Sequence, residues 1–288
     1  MKSTFKPPVS IRELTTVEEF AQCESLQMKV WGTGELSVVP VNQLVTASKN
    51  GGMVLGAFTP EGKMVGFCYG FPGLVNGEVI MCSHMLGLLK EYRSGGIGYR
   101  LKLAQRELAL ARGIKRVTWT FDPLESANAI LNIRKLGGIV RTYYENLYGN
   151  SPDLLNQNLP SDRLLVEWYI DSPRVVKRVR EAEKLGNELS PEDLVPVLFV
   201  QEATFGMPEI ADTRLGQREK RLFLEVPRNF YEIKKTDPDL AWTWRHEVRR
   251  AMSHYFVRGY LVTDFGYLGG RLGYVLEQKP AEALDGED

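Results

Sequence analysis

The chain is poor in cysteine and histidine. Its three cysteines, Cys23, Cys68 and Cys82, lie in separate apolar segments without paired spacing. That argues against a disulfide framework or a thiolate zinc site and for buried free thiols. The three histidines are His84, His246 and His254. The last two stand too far apart for a metal pair, which on one helix face needs a spacing of three or four. No metal is expected.

Net charge is lacking as well. Lys plus Arg equals Asp plus Glu, 36 against 36, so overall electrostatics point to neither nucleic acid nor an acidic membrane. No window approaches the roughly 18 uninterrupted apolar residues of a membrane span. The start, MKSTFKPPVS, has no secretory apolar stretch. The expected address is the cytoplasm, with no membrane partner. At 288 residues, 43% apolar and 25% charged, the chain has ordinary globular composition and exceeds one usual domain.

What is present reads as alternating strands and helices. A strand is expected over 9–14, and Thr16 followed by Glu19 has the form of a capping box, opening a helix whose apolar positions Phe20, Cys23, Leu26, Val30 and Trp31 recur every three or four residues. Two apolar runs, 53–59 and 64–71, flank Pro60-Glu-Gly-Lys63 as a hairpin; Asn76-Gly77 marks another tight turn, with a strand over 78–88 beyond it. Ile97, Leu101, Ala104, Leu108 and Ala111 step along one side of a helix ended by Arg112-Gly113. A strand (117–121), a short helix (126–136) closed by Gly137-Gly138, and two strands (139–148 and 163–170) complete a first α/β unit.

Asp171-Ser-Pro173 reads as a junction, so the expected units are 1–171 and 172–288, the second a smaller α/β unit with a helix over 174–184, strands over 221–226, 260–265 and 271–276, a helix over 240–258 and an acidic tail. The helix-to-strand passage Ala111-Arg-Gly-Ile-Lys-Arg-Val echoes Val257-Arg-Gly-Tyr-Leu-Val, which suggests that the second unit is a degenerate half-copy of the first.

The most informative stretch is EYRSGGIGYRLKLAQREL, residues 91–108. Three glycines fall within four positions between an apolar strand and a helix, so bare backbone N–H groups and the positive end of the helix dipole can face one anion. Eight basic and two acidic residues lie between Lys90 and Arg116. There is no Gly-Lys-Ser/Thr for a nucleoside triphosphate loop, and Leu101 follows where a dinucleotide fingerprint would have its third glycine.

At Arg93-x-x-Gly96-x-Gly98 the chain resembles the GNAT superfamily of acyl-CoA-dependent N-acyltransferases. Leu88-Leu-Lys-Glu-Tyr-Arg93 is similar to that family's strand lead-in, with Lys90 where proline is common, and Ser126-Ala-Asn128 with Arg134-Lys-Leu-Gly137 to its later motif. The resemblance covers about residues 9–170. It implies a mixed, mostly antiparallel sheet flanked by helices, with acetyl-CoA or another acyl-CoA as cosubstrate. Arg93, Ser94, Gly95, Gly96, Ile97 and Gly98 are then expected at the pyrophosphate, Leu86 and Leu88 at the pantetheine arm, and Asn128 near that arm.

The acceptor implied is a primary amine on a small molecule or peptide. Transfer needs a base and an acid for the departing thiolate. His84 shares the strand parity of Leu86 and Leu88 and is the candidate base. The family's acidic tyrosine would fall at Ile133, and glycine (Gly138) replaces the usual phenylalanine, so Tyr143 and Tyr144 are the substitute candidates, with Tyr148, Ser83 and Glu125 behind them. The missing acid keeps open a second reading, an acyl-CoA-binding module without turnover. The run Trp242, Trp244, Arg245, Arg249, Arg250 keeps open an aminoacyl-tRNA donor, although a helix with one packed face explains it more simply. The C-terminal unit is expected to shape an acceptor cleft or to form a homodimer contact.

Overall fold

The computed structural model describes residues 8–32, 38–149, 159–202 and 206–278. The chain forms two compact α/β units that divide at Trp119/Thr120. In the first, β1 (Ser10–Glu13), β2 (Met53–Phe58), β3 (Met64–Val75), β4 (Glu78–Leu88) and β5 (Arg116–Phe121) lie side by side in chain order. Pairing is antiparallel up to β4 and parallel between β4 and β5.

Local chemistry sets these elements. Helix α1 (Val17–Trp31) starts at the full Thr16/Glu19 capping box and ends at Gly32 in the left-handed region. The β3–β4 turn has both Asn76 (φ 52°) and Gly77 (φ 82°) left-handed, as a two-residue hairpin requires. One face of the sheet packs Phe58, Phe67 and Tyr69 against Phe20, Cys23 and Leu26 of α1 and Leu44 of α2 (Val41–Lys49). The other packs Leu55, Val65 and Cys68 against Ile97 and Leu101 of α3 (Ile97–Ala111).

The second unit holds α4 (Ser126–Ala129), which runs on as a π-helical stretch Ile130–Lys135, then β6 (Ile139–Tyr144), β7 (Arg163–Tyr169) and α5 (Pro173–Glu181). After these come β8 (Val195–Pro196), a ribbon of β9 (Leu198–Glu202) and β10 (Pro208–Thr213), β11 (Arg221–Glu225), α6 (Phe230–Thr236), α7 (Pro238–Phe256), β12 (Tyr260–Leu268) and β13 (Arg271–Gln278). Its main sheet runs β7-β6-β12-β13-β11-β8.

The boundary expected at residue 171 is therefore displaced. Strands β6 and β7 pair with each other, and β6 joins β12 at Val140–Val262, so 120–149 and 159–170 belong with the C-terminal elements. The two echoing passages each run from a helix end through a left-handed glycine, Gly113 (φ 74°) and Gly259 (φ 81°), into a strand. Hairpins β6–β7 and β12–β13 meet at that Val140–Val262 contact, and each carries a bulge just beyond it, between Val140 and Thr142 and between Val262 and Asp264. The two hairpins form a second matched pair. The acidic tail beyond Gln278 falls outside the described residues.

A charged core organises this unit. Arg245 of α7, 1% exposed, grips Asp122 with two bonds, Nη1 to Oδ1 at 2.8 Å and Nη2 to Oδ2 at 2.6 Å. Breaking such a pair strands the other charge in the interior, so Asp122→Ala should cost about 3–5 kcal/mol in denaturant unfolding, while Asp212→Ala at an exposed pair should cost little. Glu225 behaves oppositely: burial raises its pKa to about 7 against the pull of Arg271 and Arg228. A carboxyl with a raised folded pKa stabilises fully below its unfolded value of 4.5 and loses that contribution as pH climbs through 7. Glu225→Gln should raise the unfolding midpoint at pH 8 and change it little at pH 4.5.

Candidate functional site

The site begins at the edge of β4. Its ladder with β5 comprises Met81↔Val117 and Cys82↔Thr118. From Ser83 to Leu88, β3 is its strand partner among the described residues. Those residues carry obligatory donors and acceptors along their second edge.

At the end of this strand a single 3₁₀ turn, Lys90–Tyr92, leads into the glycine loop. Ser94 (φ 65°) and Gly96 (φ 79°) are both left-handed. A Cβ at Gly96 would meet nothing within 4 Å, so backbone conformation rather than space calls for glycine there. Gly96 is the N-cap of α3 and supplies no side-chain acceptor, which leaves the first turn of a fifteen-residue helix facing outward uncapped. Arg93 directs its side chain inward to backbone: Nε donates to Leu88 O at 3.2 Å and Nη2 to Val30 O at 3.5 Å. It ties the loop to β4 and to α1. Leu86 and Leu88 pack beside Ile97 and Leu101 on the α3 face.

His84 is placed differently from its expected parity. Tyr69 pairs with Met85 and Phe71 with Cys82, so β4 has one residue more than β3 across this interval. This bulge breaks the two-residue alternation. The His84 ring accordingly lies on the α1 face, 6.0 Å from Tyr69 and 5.8 Å from Phe71, away from Leu86 and Leu88. It remains exposed, and partial burial lowers its pKa below the ordinary 6.5.

On the α3 side of the same bulge is a cluster that sequence reading passed over. Lys102, 2% exposed, donates from Nζ to Ser83 Oγ at 3.0 Å and to Gln105 Oε1 at 2.8 Å, and lies 3.5 Å above the Trp119 ring. The available signal was its position beside Leu101 and three before Gln105, which continues the buried stripe Gly98, Leu101, Lys102, Gln105, Ala109.

The remaining candidates belong to the second unit. Asn128 is exposed on α4, its N–H bonded to Glu125 O. Glu125 caps with its carbonyl, not its side chain, and its carboxylate lies 3.6 Å from Lys234. Ile133 is fully buried. Counting back from Gly137 fails here because Leu136 N bonds Leu131 O, one residue beyond α-helical spacing. A side chain at Gly138 would meet Val166 at 2.6 Å and Asn132 O at 2.9 Å, so the usual phenylalanine has no room. Tyr143 donates its O–H to Asp162 at 2.6 Å, and burial followed by that carboxylate's charge drives its pKa far up. Its proton is committed inside the unit. Tyr144 and Tyr148 are exposed; the Tyr148 hydroxyl meets Thr120 Oγ1 at 3.2 Å.

The basic run of α7 is engaged internally: Arg245 with Asp122, Arg249 with Asp162 and Glu145, Arg250 with Glu247. Trp244 is buried, and Trp242 is 47% exposed. Cys23 and Cys68 are buried free thiols and Cys82 is partly buried. Among the described residues no cluster of His, Cys, Asp and Glu could hold a metal ion, and no helix is long and apolar enough to cross a membrane.

No family model matches the chain, and no curated protein matches it. Among solved structures it is similar to one titled as the NatC complex bound to Gag peptide and CoA, at 14% identity over 56% of this chain and 98% of that one, TM-score 0.45. It is similar also to ribosomal-protein-S18-alanine N-acetyltransferase from Escherichia coli, at 15% identity over 57% and 94%, TM-score 0.43. A GNAT family acetyltransferase from Elizabethkingia anophelis with acetyl-CoA bound matches at 15% over 56% and 97%, TM-score 0.42.

The Tyr143 bond yields a test. Tyr143→Phe should cost about 1.5–3 kcal/mol, the value of a hydrogen bond to a charged group, read as a lowered denaturation midpoint.

Proposed function

We propose that the chain is an N-acyltransferase of the GNAT type, which moves an acetyl or other acyl group from acyl-CoA to a primary amine on a small molecule or peptide. The observation that carries this reading is the edge of β4, Ser83–Leu88, which has no second strand among the described residues and leads into the glycine loop and the uncapped first turn of α3. The pantetheine arm is an extended chain of amides and suits a strand edge as its hydrogen-bonding partner. The pyrophosphate suits the start of α3, where glycines keep the backbone bare and the helix dipole favours negative charge. Arg93 serves by fixing the loop to Leu88 O and Val30 O. The resemblance at Arg93-x-x-Gly96-x-Gly98 supports the same placement.

In the transfer, the neutral amine attacks the thioester carbonyl; a C–N bond forms, the C–S bond breaks, and the amine's proton goes to a base while the thiolate takes one up. His84 is the base in this reading, with a pKa lowered by burial that keeps the imidazole neutral and able to accept a proton at neutral pH. A binding module without turnover is the alternative, favoured by the buried Ile133 and by the engagement of Tyr143 with Asp162. An aminoacyl-tRNA donor draws less support, because Arg245, Arg249 and Arg250 are paired within their own unit.

Gly96→Glu places a carboxylate at the loop and should abolish acetyl-CoA binding in calorimetry; wild-type affinity in that variant would remove the site from residues 93–98. With an amine panel, thiol release should hold down to about pH 6.5, the ordinary imidazole value, and fall only below it, because burial lowers the His84 pKa. His84→Gln should lower kcat and flatten that acid limb. Tight binding with no thiol release from any amine would select the module.

A further inference from the structure

Lys102 is a lysine where an apolar residue would be cheaper. Its neighbours belong to one stripe of the first unit: Ser83 on β4, Gln105 one turn along α3, and the Trp119 face on β5. Beside them are the Cys68 thiol of β3, with Sγ 3.8 Å from Ser83 Oγ, and the Cys82 thiol of β4. A methionine would occupy the same volume without bringing a charge out of water.

A second observation points the same way. Gln105 is fully buried, and its Nε2 has no hydrogen-bond partner among the described residues. That atom lies by Gly70, the β3 residue opposite the β4 bulge, where an added Cβ would stand 3.0 Å from it. The α3 helix thus directs two polar side chains at the one place where β4 departs from regular pairing.

That place controls two things. The bulge turns His84 to the α1 face while Ser83 stays on the α3 face, and it starts where the β4–β5 ladder ends. We propose that Lys102 is a positioning residue for acyl transfer: through Ser83 it fixes the bulge, and so the direction of His84 beside the edge of β4. This role rests on the acyltransferase reading and adds to it a cation beneath the strand that faces the reacting acyl group. Negative charge develops on the acyl oxygen during attack, and a buried positive charge beneath the strand favours it over the uncharged ground state.

The charge is also titratable. Burial lowers the Lys102 pKa to about 8, partly offset by the Cys68 and Cys82 thiols, which burial itself pushes up. The ammonium is therefore present at pH 7 and lost above pH 8. For stability the sign is reversed: a lysine with a depressed folded pKa opposes folding while it is charged, so removal of the charge does not weaken the fold at pH 7.

The test compares wild type with Lys102→Met and Ser83→Ala, measuring acetyl-CoA affinity by calorimetry, the thermal midpoint at pH 7, and kcat from pH 6 to 9.5. Lys102→Met should bind acetyl-CoA like wild type, unfold at the same or a higher temperature, and lose about tenfold or more in kcat, on the scale of lost transition-state electrostatics. The wild-type decline in kcat above pH 8 should vanish with it, and Ser83→Ala should lower kcat while leaving affinity intact. If Lys102→Met keeps wild-type kcat and its alkaline limb, the role is wrong although the acyltransferase reading stands. If it unfolds, the lysine is structural and the role is likewise wrong. A wild-type protein that releases no thiol overturns the acyltransferase reading and this role together.

Discussion

A backbone edge cannot be left without hydrogen-bond partners at no cost, and the first unit is built around such an edge. Strand β4 takes β5 as a parallel neighbour for two residue pairs and then continues to Leu88 with β3 as its ladder partner among the described residues. Helix α3 connects the two strands from the top of β4 back to the foot of β5, so the free stretch and the uncapped helix start are consecutive in the chain. The bulge at Ser83–His84 marks the transition. It adds twist where pairing stops, the usual work of a bulge at a functional edge. Bulge, edge and loop follow one another within a single passage of chain, from Ser83 to Gly98.

The second unit solves a different problem, the satisfaction of charge inside a core. Asp162 is fully buried and accepts from Tyr143, from the Asn146 amide and twice from Arg249; Asp122 receives two bonds from Arg245 and one from the Leu124 amide. Each carboxylate is covered on both oxygens, which is the condition under which buried ions are tolerated. These bonds join α7 to β6 and to the start of β7, which is why the chain's compact division falls ahead of residue 120 rather than at a Pro-containing junction near 171. A linker-like sequence such as Asp171-Ser-Pro173 reports only local conformation; here Ser172 caps α5 and Pro173 occupies its first turn.

The legible parts of the sequence were those where local chemistry decides. The capping box at Thr16, the Asn76-Gly77 turn, the strand over 78–88 and the glycine end of α3 all carry their signal in a few adjacent residues. Helix α2 was missed because its nine residues bury Leu44 and Ala47 and little else, too short an apolar stripe to register. The ribbon β9–β10 was missed because its strands alternate weakly and it pairs outside the main sheet. His84 shows the limit of parity: two-residue alternation holds only while both strands advance together, and an extra residue in β4 put the imidazole on the other face.

Lys102 escaped for a related reason. Composition treats lysine as a surface residue, and in this helix Arg100, Arg106 and Arg112 support that habit. The periodicity that buries Leu101, Gln105 and Ala109 also buries Lys102, which stands next to Ala109 on the wheel. A folding optimum would place a hydrocarbon there. The chain instead places an ammonium against the one serine in the bulge and a glutamine whose amide nitrogen meets no acceptor among the described residues. Polar groups held at a cost to folding, beside an irregular strand and a free edge, follow the pattern by which active sites exchange stability for preorganised electrostatics. Stability alone would select the opposite residue, and that contrast separates a positioning role for Lys102 from a packing one.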